Sequence, residues 1–84
     1  MTTFLTLKEV AKKRGVSPMA LRREISAGLF PGPIKREGRR WARWLEHEAT
    51  TINAAIIRGD DDETIRGLVR ELITLREAVG IKAP

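Results

Sequence analysis

The chain has no cysteine in its 84 residues. That excludes disulfides, thiolate metal sites and cysteine nucleophiles, and it fits a reducing compartment. No apolar run approaches the ~20 residues needed to span a bilayer. The start, Met1-Thr2-Thr3-Phe4-Leu5, lacks the basic and apolar regions of a secretory signal. The expected location is therefore the cytoplasm, with no membrane partner. There is no glycine-rich phosphate loop. Thr6, Ser17 and Ser26 have no base beside them, so no nucleophile triad can be assembled. His47 is the single histidine, and with no cysteine it does not make a metal site. Asp60-Asp61-Asp62-Glu63 lacks the alternating ligands and the glycine of a calcium loop; it reads as a helix start. The expectation is a protein that is not an enzyme and takes no metal or cofactor.

Positive charge is abundant and unevenly distributed. Formal net charge is +5. Residues 1–44 carry a net +8 and residues 45–84 a net −3, so the entire excess lies in the first half. Such a half attracts polyanions and speeds their encounter. Nucleic acid fits better than an anionic membrane, because no basic amphipathic helix with aromatic anchors is present.

Local signals divide the chain into short elements. Thr6-Leu7-Lys8-Glu9 is a capping-box pattern and predicts a helix over residues 7–13, with Leu7, Val10 and Ala11 on one face and Gly15 as the stop. Lys12, Lys13 and Arg14 suit the negative end of that helix. Ser17-Pro18 predicts a second helix, capped by serine and opened by proline, and Gly28 ends it. Leu21 and Ile25 share its inner face; Met19, Arg22, Arg23 and Ser26 fall outside. Three residues separate the two helices, as a helix-turn-helix requires.

Phe30-Pro31-Gly32-Pro33 cannot continue a helix. Phe30 is expected in the core. Ile34-Lys35 and Trp41-Ala42-Arg43 are candidate strands of a hairpin around Arg36-Glu37-Gly38-Arg39. Residues 45–57 read as a third helix, with Trp44 opening it from within the core, Glu46 and Glu48 favourable in its first turn, and Ala49, Ile52 and Ile56 as its stripe. A fourth helix, capped by Asp60, Asp61 or Asp62, is expected to end near Val79. Its Ile65, Leu68, Leu72, Leu75 and Val79 form a short a/d seam, widened by Val69 and Ile73.

The expected fold is mainly α with a small β-hairpin wing: a winged helix-turn-helix over residues 1–58, followed by a C-terminal helix over residues 59–84 for packing or dimerisation. Candidate DNA-binding residues are Ser17, Pro18, Met19, Arg22, Arg23 and Ser26 on the second helix, and Lys35, Arg36, Arg39, Arg40 and Arg43 on the wing. An arginine of the helix can bond guanine O6 and N7 in the major groove, and Met19 can meet a thymine methyl. The wing cations suit phosphates or the minor groove. Trp41 can either cover the sheet or lie beside DNA. The seam residues are candidates for joining two copies, with an intramolecular helical hairpin as the other possibility.

The succession Leu7-Lys8-Glu9-Val10-Ala11, Gly15-Val16-Ser17, Leu21-Arg22-Arg23-Glu24-Ile25, Gly28 through Lys35, then Arg43-Trp44 and Glu48 resembles the AlpA-type prophage regulators. These are winged helix-turn-helix proteins of the broader MerR and excisionase type. The likeness spans residues 5–52. It implies a transcription regulator of double-stranded DNA, with RNA polymerase or an integrase as further partners. It equally implies an excisionase that bends DNA for a site-specific recombinase. A third possibility is a protein-interaction module whose basic face meets an acidic partner. The chain departs from the family pattern in its arginine-rich wing and in having Ala49 and Ile52 where a larger apolar residue often follows the glutamate.

Overall fold

A computed structural model describes residues 4–36, 38 and 41–78. The chain is mainly helical, with four helices and a small antiparallel sheet among the described residues. Its order is β1 (Phe4–Leu5), α1 (Leu7–Arg14), α2 (Pro18–Ser26), β2 (Ile34–Lys35), β3 (Ala42–Leu45), α3 (Glu46–Arg58) and α4 (Asp62–Ala78).

The helix ends follow local chemistry. Both halves of the capping box form at α1: the Thr6 amide donates to Glu9 Oε1 at 2.8 Å and the Glu9 amide to Thr6 Oγ1 at 3.2 Å. Gly15 closes α1 with φ 69°, where a side chain would be strained, and the Val16 amide returns to the Ala11 carbonyl. Ser17 accepts from the Ala20 amide, with Pro18 at the first helical position. Of the three candidate caps for α4, Asp61 serves, taking the Thr64 amide at 2.8 Å.

The sheet has the order β1-β3-β2. Phe4 pairs with Leu45 and Leu5 with Trp44 on one side; Ile34 pairs with Arg43 and Lys35 with Ala42 on the other. One element was not expected and one expectation is corrected. Strand β1 has too few residues for an alternating pattern to announce it. Trp44 does not open α3 but sits in β3, held extended by pairing with Leu5. The third helix starts after Leu45, whose amide is taken by the Glu48 carboxylate at 3.1 Å. Trp44 is nevertheless core, as expected, at 3% exposure.

One apolar core joins all four helices. It contains Leu5, Val10, Ala11, Leu21, Phe30, Trp44, Ala49, Ile52, Ala55, Ile65, Val69 and Leu72. On α3, Ala55 continues the buried stripe, while Ile56 is turned outward.

The seam of α4 faces inward. Ile65 and Leu72 are buried in this chain's own core, and Leu68 packs against it. These three residues thus take the intramolecular one of the two possibilities: a small domain has little apolar area to spare, and α4 supplies part of it. Leu75 and Ile73 lie on the exposed side; Val79 lies outside the described residues.

A buried ion pair fastens α4 to α3. Arg76 Nε donates to Glu48 Oε2 at 2.7 Å and Nη2 to Oε1 at 3.0 Å, with Glu48 fully buried. Arg76 Nη2 also donates to the Gly32 carbonyl at 2.7 Å. Complementing the helix dipole is thus only part of what Glu48 does; it also joins two helices. Removing one partner of such a pair leaves an uncompensated buried charge. Glu48→Ala is therefore expected to lower stability by ~3–5 kcal/mol, measured by urea unfolding, with the apolar double replacement Glu48→Leu/Arg76→Met more stable than the single variant.

Candidate nucleic-acid interface

Helix α2 turns Leu21 into the core and half-buries Ile25. The opposite side carries Pro18, Met19, Arg22, Arg23 and Ser26, all exposed. Ser17 is exposed too, but its hydroxyl oxygen is occupied by the Ala20 amide.

On the hairpin, Lys35 and Arg36 are exposed and Arg43 is half-buried. Trp41 organises the two arginines. The Arg36 guanidinium lies 5.8 Å from the Trp41 ring centroid and that of Arg43 lies 5.3 Å away. Arg43 also donates to the Ala42 carbonyl at 2.9 Å. Phe4 packs edge-on against Trp41, centroid to centroid 5.3 Å. Trp41 thus covers the β1 end of the sheet while holding cations over its faces. Arg39 and Arg40 lie outside the described residues.

The helix and hairpin residues share one side of the molecule. A shallow depression is lined by Leu7, Arg22, Ile25, Ser26, Pro33, Ala42 and Trp44. Leu7 and Ala42 also border a second depression, with Thr6, Lys8, Lys35, Trp41 and Arg43. The surface therefore runs without a break from α2, across the start of α1, to the hairpin. Among the described residues no acid lines either depression. Lys8 belongs to this face and was missed from the sequence, because only the fold carries the first turn of α1 beside β3.

Five acids are occupied elsewhere. Glu24 accepts from Arg14 at 2.6 Å, Glu48 from Arg76, Asp60 from Arg58 at 2.9 Å and Glu63 from Arg66 at 2.7 Å, and Glu46 lies 3.9 Å from Lys13. Arg14 is itself a structural residue. Its side chain is buried, it also donates to Asn53 Oδ1 at 2.6 Å, and its guanidinium lies 5.8 Å from the centre of the Phe30 ring. Its Nε is buried without a hydrogen-bond partner among the described residues. By contrast, Lys8, Arg22, Arg23, Lys35, Arg36 and Arg43 have no ion-pair partner among the described residues.

Glu9 lies close enough to this face to feel the charge of Arg43. Its carboxyl is held below the ordinary glutamate value chiefly by the Thr6 amide, then by the Thr6 hydroxyl, with a smaller contribution from the Arg43 charge. Asp61 is lowered in the same way by the Thr64 hydroxyl and amide.

Among the described residues no group of three or more His, Cys, Asp or Glu is placed to hold a metal ion, and no helix is long and apolar enough to cross a membrane. Comparison of the chain with protein-family models, curated proteins and solved structures finds no match.

The Thr6 amide and hydroxyl act on the Glu9 carboxylate more strongly than the Arg43 charge does. An NMR titration is expected to place the Glu9 midpoint below the ordinary glutamate value, and to find it still depressed in Arg43→Ala.

Proposed function

We propose that the chain is a sequence-specific, double-stranded-DNA-binding transcription regulator of the winged helix-turn-helix kind. In this reading α1 and α2 are the helix-turn-helix, α2 enters the major groove, and the β2–β3 hairpin is the wing on the neighbouring backbone. The observation that carries it is the surface from Arg22 and Ser26 to Lys35 and Arg43, whose depressions no acid lines among the described residues. Close cations repel one another, and a polyanion relieves that repulsion while releasing its own counterions. The resemblance to AlpA-type regulators supports the same arrangement.

The two halves of the face have different tasks. Met19, Arg22, Arg23 and Ser26 stand on a rigid helix, which suits base-edge contacts. Lys35, Arg36 and Arg43, with Arg39 and Arg40 between them in sequence, suit phosphate contacts, which position the protein without reading sequence. The long aliphatic stems of Lys8 and Arg43 border the same depression as Trp41, so the apolar floor between the cations is partly theirs.

One observation gives weight to a second reading, an excisionase that occupies repeated sites and bends DNA. Ile65 and Leu72 of the α4 seam are buried in this chain's own core, and Leu68 packs against it, which leaves less of the seam to pair two copies. A single module buries only ~600–1,000 Å² on DNA, and specificity then has to come from adjacent copies on tandem sites. Selection of binding sites from random duplexes is the deciding experiment. A lone half-site with a promoter response supports the regulator, direct repeats support the excisionase, and no enrichment overturns DNA reading altogether.

Replacing Arg22 or Arg23 by alanine is expected to cost ~1–3 kcal/mol on the selected duplex and to relax base preference. Replacing Lys35 or Arg36 is expected to weaken all duplexes alike and reduce the salt slope by about 1 for each phosphate left without its cation. Fluorescence anisotropy across a salt series measures both; identical behaviour of the two sets would overturn the division of labour.

A further inference from the structure

The segment over residues 27–33 is the covalent link between α2 and the hairpin. Pro31 and Pro33 have no amide proton, so the segment is poor in donors and rich in carbonyls. Three of those carbonyls are taken by side chains from distant elements. Arg66 Nε donates to Ala27 at 2.9 Å, Trp44 Nε1 to Pro31 at 2.8 Å, and Arg76 Nη2 to Gly32 at 2.7 Å.

Two of the three donors belong to α4. Arg66 and Arg76 stand about 15 Å apart along that helix, one at each end of the link. Each is fixed in turn by a carboxylate: Glu63 Oε1 accepts from Arg66 at 2.7 Å, and Glu48 holds Arg76. The aliphatic stem of Arg66 also lies against Gly28, where an added Cβ would meet it at ordinary contact distance, 3.7 Å. Helix α4 thus touches the chain where α2 ends and where the hairpin begins.

We infer that α4 is a positioning brace: through Arg66 and Arg76 it sets the placement of α2 relative to the hairpin, so that both engage one duplex together. This rests on the proposed DNA-binding reading. Arg66 and Arg76 are positioning residues in it and touch no DNA. A looser link divides the molecules among several helix-to-hairpin arrangements, and apparent affinity falls with the fraction in the competent one. Contacts that tolerate any register, such as those to phosphate on random sequence, do not suffer that loss.

The test uses the full chain and Arg66→Met, which keeps the stem and removes the donor, with Glu63→Gln as the control that spares the bond to Ala27. In the free protein, hydrogen exchange is followed by NMR at the Gly28 and Leu29 amides and at the Trp44 indole. Binding is measured on the duplex recovered by selection and on a scrambled duplex of equal length, and thermal unfolding is recorded for each variant. In Arg66→Met, exchange at these sites is expected to accelerate and affinity for the selected duplex to fall, each about three- to tenfold, the range spanned by loss of one net hydrogen bond. Affinity for the scrambled duplex stays at the wild-type value, and Glu63→Gln behaves as wild type. Unchanged exchange and unchanged preference in Arg66→Met would overturn the brace, as would equal losses on both duplexes in step with thermal stability. Should the wild-type chain prefer no duplex, the DNA-reading proposal fails instead, and the exchange rates alone decide whether α4 holds the link.

Discussion

The Glu48 carboxylate, fully buried, is the charge on which the packing of α4 against α3 turns. It takes the Leu45 amide at the start of α3 and both Nε and Nη2 of Arg76 from α4, and Arg76 passes the connection on to Gly32. Four parts of the chain therefore meet at one charge: the end of β3, α3, α4 and the approach to β2. A buried pair is weak as a source of net stability but demanding in geometry, since each oxygen and each N–H must find its partner. It fixes which helix lies where, leaving the aliphatic core to supply the driving force. The same demand explains why Pro31-Gly32-Pro33 needs no ladder of its own. Its carbonyls are held by Trp44 and Arg76 from outside the segment.

Much of the local structure is legible in the sequence, because it is written in short-range chemistry. Thr6 with Glu9, Ser17 with Pro18, and Gly15 each announce a helix end through bonds to residues within four positions, and those bonds form. The outer face of α2 follows from helical period alone. Phe30 and Trp44 can be assigned to the core because so small a domain has few other large apolar groups. What the sequence leaves ambiguous depends on partners far along the chain. Strand β1 exists only because β3 lies beside it. Trp44 is extended rather than helical for the same reason. Glu48 looks like a residue complementing a helix dipole until Arg76, well downstream, is brought to it.

The α4 seam is the sharpest case. Ile65, Leu68 and Leu72 at alternating spacings of three and four describe a stripe that some surface must cover, and the stripe reads identically whether that surface is a second copy or the same chain. Periodicity reports that an apolar face exists; only the fold names its occupant. The candidate DNA-facing set shows the converse limit. Arg22, Arg23, Lys35 and Arg43 could be chosen from sequence as basic residues on exposed elements. Lys8 could not, because its place beside Lys35 and Arg43 is made by the packing of α1 against β3. Arg14, as basic as the others in composition, is withdrawn from the surface by Glu24 and Asn53.

Lys8, Arg22, Lys35 and Arg43, unpaired among the described residues, border two adjoining depressions, so the folded chain carries its positive charge unevenly. A body of that kind experiences a torque in the field of any dense anionic polymer once it comes within about a Debye length of it. Its first collisions are consequently biased towards the lysine- and arginine-bearing side. Orientation is then partly solved during diffusion, and raising ionic strength weakens that bias.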